Sequence, residues 1–238
     1  MPLPLLLSVP HAGLHVPSEV ASICLLTADQ VAHDGDEGAN AIYDLEAEVV
    51  AYATTDVARA FVDLNRAEDD RRKDGVVKTH TCWDVPVYDS ALSETLVQKL
   101  LTKYYRPFHQ RLSDLAGHGV LLGIDCHTMA AKGPPVGPDP GKERPWVCLS
   151  NAEGTCPSTW MTGLKDCFEA EFGSHVAIND PFTGGYITRT HAAEMPWVQL
   201  ELSRAPFLTN QEKKDRVLRA LEHWADRAVA RVGTAASS

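Results

Sequence analysis

The sequence predicts an α/β fold: a single domain on a mixed, mostly parallel sheet with helices on both faces. Three observations carry this. Short apolar runs alternate with helical patterns along the chain. The runs are continuous rather than alternating, as expected of strands covered on both sides. At about 150 residues per domain, 238 residues make one large domain or two small ones, and no repeat or linker-like stretch divides them. One domain is therefore expected over residues 1–232, with 233–238 a frayed tail.

The expected strands are Leu3–Val9, Val49–Ala53, Ala60–Leu64, Val120–Ile124, Trp146–Leu149, Val176–Ile178 and Trp197–Leu202. Each is short and apolar, and most are rich in β-branched residues. Ala39–Glu48 reads as a helix. So does Ser93–Leu115, where Leu96, Leu100, Tyr104, Phe108, Leu112 and Leu115 recur at steps of three or four; Pro107 should kink it. The last helix opens on Thr209 and Glu212, a capping-box pair, and lines up Val217, Leu221, Trp224 and Ala228 on one face. The Pro- and Gly-rich loop Lys132–Arg144 is expected to edge a cleft.

Composition narrows the function. The net charge is −10, the first lysine or arginine is Arg59, and nine acidic residues precede it. With no basic stripe, nucleic acid is excluded as a partner. The apolar opening, Met1–Val9, lacks a positive n-region and holds two prolines, so it does not read as a signal peptide. It is too short to span a bilayer, so no membrane role is expected. Six cysteines without a C-x-x-C pair read as reduced, mostly buried thiols of a cytoplasmic protein.

In open α/β sheets, function gathers at the carboxyl ends of strands. Three such ends are polar: Ser8-Val9-Pro10-His11, Asp125-Cys126-His127-Thr128 and Gln199-Leu200-Glu201. Two histidines and a carboxylate converging there could hold one metal ion, since catalytic zinc takes three protein ligands and keeps a fourth position open. Each could equally be an ordinary polar strand end. A thiol hydrolase using Cys126 beside His127 is another reading of the same run. The segment Asp63-Leu64-Asn65-Arg66 sets a guanidinium fork beside an amide; the fork suits a carboxylate ligand, or pairs with Glu68, Asp69 or Asp70 next door.

Six motifs occur in order: P-H-A-G (Pro10–Gly13), D-L-N-R (Asp63–Arg66), P-F-H (Pro107–His109), I-D-C-H-T (Ile124–Thr128), N-D-P-F-T-G-G-Y (Asn179–Tyr186) and L-E-L-S-R (Leu200–Arg204). Together they resemble the N-formylglutamate amidohydrolase family, from about Leu5 to about Leu208. The resemblance implies a single domain of the zinc-exopeptidase (phosphorylase/hydrolase-like) type and one Zn2+ ion. It implies His11 and His127 as metal ligands, with the carboxylate from the Asp34–Ala39 segment. Asp36 matches best there, and adjacent Glu37 stays open. Asp36 could instead be an acid at a helix N-terminus. Glu201 matches the catalytic glutamate, although it could simply pair with Arg204. Asn65 and Arg66 match the pair that holds the substrate's carboxylate, with Arg66 placing the amide bond for catalysis. Tyr186, Arg189 and Arg144 are expected to complete the pocket, and His109 to be a buried hydrogen bonder. The implied activity is hydrolysis of the N-formyl amide of a small carboxylate-bearing amino acid such as N-formylglutamate. A zinc carboxypeptidase or another N-acyl amino acid deacylase is the alternative. A non-catalytic protein binding a carboxylate ligand is the alternative of another class.

Overall fold

The computed structural model describes residues 1–117, 119–134 and 139–235, with side chains to residue 230. Six strands form one sheet: β1 (Leu3–Val9), β2 (Val49–Thr54), β3 (Leu122–Met129), β4 (Val147–Ser150), β5 (Val176–Ile178) and β6 (Trp197–Ser203), in the order β2-β1-β3-β6-β4-β5. All neighbouring pairs are parallel except β4 with β6, which is antiparallel. The sheet is thus mixed and mostly parallel, as expected. β1, β3 and β6 lie side by side, so their carboxyl ends meet at one edge of the molecule.

Helices cover both faces. On one face, α2 (Ala39–Ile42), α5 (Ser158–Phe172) and α7 (Asn210–Ala235) pack over Leu5, Leu7, Ile124, Cys126, Leu200 and Leu202. On the other, Leu6, Ala51 and Trp197 meet α3 (Glu94–Leu100), a π-helical turn (Leu101–Tyr105), α4 (Arg106–Leu115) and α6 (Tyr186–His191). A short α1 (Ala28–Asp34) precedes α2. No helix among the described residues is long and apolar enough to cross a membrane.

Several elements depart from the sequence expectation. The strand expected at Ala60–Leu64 is not one. Its residues are buried, but the chain turns there, with Phe61 and Val62 N–H donating back to Ala58 O, and touches Val77 only through an isolated bridge. Apolar content reported burial, not sheet pairing. β3 runs five residues beyond the expected end at Ile124, because its polar residues find partners inside the protein. Helix Ala39–Glu48 stops at Ile42 and resumes as a 3-10 turn at Glu46–Glu48. Across Ser93–Leu115, Pro107 is accommodated by the π turn before it, where Arg106 N–H reaches back five residues to Leu101 O. The wider turn relieves the clash a proline ring makes with the preceding turn. The capping box at Thr209 and Glu212 forms as expected, with reciprocal bonds of 2.8 and 3.2 Å. α7 continues to Ala235, past the expected fraying at Gly233, and 236–238 lie outside the described residues. So do 135–138 of the proline-rich loop.

Candidate active site

His11 follows β1 directly. The turn that carries it passes so close to Asp56 that a Cβ on Gly13 would stand 2.3 Å from the Asp56 carbonyl oxygen. Only glycine fits there. The turn is tied to the α1–α2 loop by Asp36 N–H donating to His11 O at 3.2 Å. His127 lies within β3, directly across from Glu201 on β6. Strand alternation puts Asp125 on the face of His127, and Gln199 on that of Glu201.

These placements bring His11, Asp36 and His127 together, all buried. His127 Nδ1 is 3.2 Å from His11 Nδ1 and 3.0 Å from Asp36 Oδ2, and His11 Nδ1 is 3.5 Å from the same oxygen. The far nitrogen of each ring is held by a carboxylate: His11 Nε2 by Asp63 at 2.9 Å and His127 Nε2 by Asp125 at 2.8 Å. A carboxylate on Nε2 fixes the proton there and turns the Nδ1 lone pair inward. Two imidazole lone pairs and a carboxylate oxygen then face one another, which a cation between them relieves. Zinc with bonds of about 2.0–2.1 Å in tetrahedral geometry needs ligand atoms about 3.3 Å apart. The donor set fits. Glu37 does not join it; its half-exposed carboxylate turns to His33.

The charges around the cradle agree. Burial alone would push Asp36 up, but His11 and His127 hold its carboxyl well below the usual range. Burial would likewise push His127 down, yet Asp125, and then Asp36 and Glu201, raise it well above an ordinary histidine. The carboxylates around His127 thus favour positive charge at that ring, which a proton supplies in the metal-free chain and a metal ion could supply in its place. Glu201 differs. Burial pushes its carboxyl up to about 7, and Gln199 Nε2 donates to Oε1 at 2.8 Å, fixing its rotamer. A buried carboxyl near neutrality is suited to taking and giving a proton. Cys126 sits between these residues but points to the opposite face, among apolar side chains, where burial raises its thiol well above an ordinary one. The thiol-hydrolase reading has no geometric basis.

The amide of Asn65 is fully engaged. Nδ2 donates to Asp125 Oδ2 at 3.2 Å, the same oxygen that takes His127 Nε2, and Oδ1 accepts from Ile187 N–H at 2.8 Å. Arg66 is partly exposed beside it. It donates to the carbonyls of Asp74 and Asn65 at 3.2 Å each, while Nη2 stands 3.9 Å from Asp63 and 3.8 Å from Asp74. Tyr186, at the start of α6, packs edge-on against the His109 ring. His109 itself donates to Leu64 O from Nε2 at 3.0 Å and accepts at Nδ1 from His191 at 2.9 Å, the buried hydrogen bonder expected of it. Arg189 turns back onto Gly184 O and Thr183. Arg144 directs its fork at Asp139, at 2.8 and 2.7 Å, with Phe182 beneath it. The structure therefore groups His11, Asp36, His127, Glu201, Asn65 and Arg66, and turns Arg144 and Arg189 onto other protein groups. Arg204, the other partner considered for Glu201, reaches instead toward Gly35 O at 3.5 Å.

Comparison with known proteins decides the family. The model of the N-formylglutamate amidohydrolase family matches residues 3–208. The chain belongs to the N-formylglutamate amidohydrolase family. It is 30% identical over 233 residues to an N-formylglutamate deformylase of Pseudomonas putida, covering 88% of this chain and 84% of that one. The fold matches that of an N-formylglutamate amidohydrolase from Ralstonia eutropha JMP134, with a TM-score of 0.74 at 21% identity over 98% of this chain and 95% of the other. It also matches a gene product of Agrobacterium tumefaciens, with a TM-score of 0.70 at 19% identity over 97% and 90%. As a member of this family the chain is an enzyme, a hydrolase of an amide bond.

Sequence reasoning did not single out four groups that support the site of this amidohydrolase: Asp63, Asp125, Gln199 and Arg59. Period-two spacing on a strand would have found Asp125 beside His127 and Gln199 beside Glu201. Asp63 stood within a quoted motif without a role. Arg59 had no local signal at all.

Proposed function

We propose that this member of the N-formylglutamate amidohydrolase family is a zinc-dependent deformylase that hydrolyses N-formylglutamate to formate and glutamate. The observation that carries the reading is the convergence of two Nδ1 atoms and one carboxylate oxygen at 3.0–3.5 Å beside buried Glu201. His11, Asp36 and His127 would hold the ion. A zinc ion in such a place supplies Lewis-acid polarisation of the scissile carbonyl and acidification of water.

The protein's own groups do the rest. Glu201, aimed by Gln199, takes the proton of the water that attacks the formyl carbon. It then delivers that proton to the leaving amine as the C–N bond breaks. Arg66 presents Nη2, the nitrogen that donates to neither carbonyl, to a substrate carboxylate, which sets the amide bond over the cradle. Asn65 braces Asp125, the partner of His127, and the start of α6, and Tyr186 walls the pocket. Arg144 and Arg189, engaged elsewhere, are assigned no contact with substrate.

The test is turnover on N-formyl-, N-acetyl- and N-succinyl-glutamate and small peptides, with metal content measured on the same sample. Preference for the formyl compound is expected. Preference for an acetyl or succinyl compound, or for a peptide, assigns the chain to another deacylase or to a carboxypeptidase. Bound metal with no turnover on any of these compounds removes N-formylglutamate as the substrate. Glu201→Gln should keep its metal and lose on the order of 10³-fold or more in rate; activity surviving that change removes Glu201 as the base. Arg66→Ala should raise KM more than it lowers kcat, and an unchanged KM takes Arg66 out of the pocket.

A further inference from the structure

Behind the metal cradle lies a cation that belongs to none of the sequence motifs. Arg59 sits in the turn that leads into Asp63–Arg66. Its Nε donates to Asp63 Oδ2 at 3.0 Å, and the other oxygen of that carboxylate takes His11 Nε2 at 2.9 Å. Its Nη1 donates to the carbonyl of Asp34 at 3.3 Å, two residues before Asp36. The Asp34 side chain is locked in turn by Lys78 Nζ and by the Cys82 N–H, each at 2.7 Å. One guanidinium thus spans the supports of two of the three donors.

We infer that Arg59 is a positioning residue that sets the affinity of the His11–Asp36–His127 cradle for its metal ion. The inference rests on the zinc reading above. Asp63 serves the cradle only while it is aimed: it must accept the proton on His11 Nε2 so that Nδ1 stays free. Arg59 neutralises that buried carboxylate and fixes its plane. The same planar fork anchors the backbone that delivers Asp36. A planar fork points Nε and Nη1 in two fixed directions at once, whereas a lysine ammonium is a single point charge. Arg66 contributes charge toward Asp63 as well, but it does not aim the carboxylate, since its Nη2 stays 3.9 Å away, beyond hydrogen-bonding distance.

The test is zinc affinity, measured by competition with a chromogenic chelator on metal-stripped wild type, Arg59→Met and Arg59→Lys. Thermal unfolding of each metal-free chain is recorded alongside. Arg59→Met should weaken zinc binding about 10–100-fold while the metal-free chain remains folded. Arg59→Lys should recover only part of the loss. A folded Arg59→Met chain that binds zinc like wild type overturns the inference. Complete recovery by lysine also overturns it, because the two-directional fork would then be unnecessary. If Arg59→Met does not fold, Arg59→Lys alone decides, with wild-type affinity the refuting result. Wild type that binds no zinc removes the cradle itself, and is told apart from failure of the Arg59 role by that first measurement.

Discussion

At His11 and His127 the same device is used twice. A carboxylate grips the outer nitrogen and commits the inner one to the centre of the site. The sequence pointed to both histidines and to Asp36 as the best-matching carboxylate, with adjacent Glu37 left open. The choice is a matter of direction: Glu37 faces outward to His33, while Asp36 also accepts Thr128 N–H at 3.2 Å. Asn65 shows a smaller version of this. Its amide touches both Asp125 and His127 and leaves no room at Gly185, where a Cβ would stand 2.3 Å from Asn65 Nδ2. Gly185→Ala should therefore overpack the site, destabilising the fold by about 1–3 kcal/mol and lowering kcat/KM. Denaturant unfolding and steady-state rates would check this, and a variant equal to wild type in both would show that Asn65 is not held as described.

At the scale of elements, α1 and the loop after it matter beyond their length. The fully buried Asp34–Lys78 pair staples the end of α1 to the 78–82 loop. Burial pushes the Asp34 carboxyl up, but Lys78 and then Arg59 outweigh it and leave the group below its ordinary value. A carboxylate depressed in the folded state adds stability above its unfolded pKa of about 3.9 and loses it as pH falls through the folded value. Asp34→Asn should cost about 3–5 kcal/mol at neutral pH, because Lys78 is left buried and unpaired. The gap from wild type should narrow below about pH 4. Urea unfolding at neutral and acid pH checks both, and a gap that widens toward acid contradicts the sign. Neither partner was legible as such, since the pair joins residues far apart in sequence. α5 also stands where no element was expected, although Met161, Leu164, Phe168 and Phe172 recur at helical steps. Threonines and Gly163 dilute that pattern. The run at Ala60–Leu64 errs the other way: it is as apolar as a strand, but it is buried by loops.

For the whole molecule, what could be read was the layer order and the edge at which chemistry gathers. β1, β5 and β6 open on apolar residues and keep one at or next to their last position, so they were legible nearly to the residue. β3 was cut short because Asp125 and His127 look like the end of a strand, when they are polar residues satisfied inside it. The parallel run β2-β1-β3-β6 then explains why His11, His127 and Glu201, distant in sequence, share one site. The acidic balance of the chain agrees with this arrangement. Asp36, Asp63, Asp125 and Glu201 are buried together with His11 and His127, beside Arg59, the setting in which a zinc ion is proposed. Turnover of N-formylglutamate by metal-stripped protein, before and after one equivalent of zinc, tests this most directly. Stripping should abolish turnover, and one zinc per chain should restore it. Full activity in protein shown to carry no metal would contradict it.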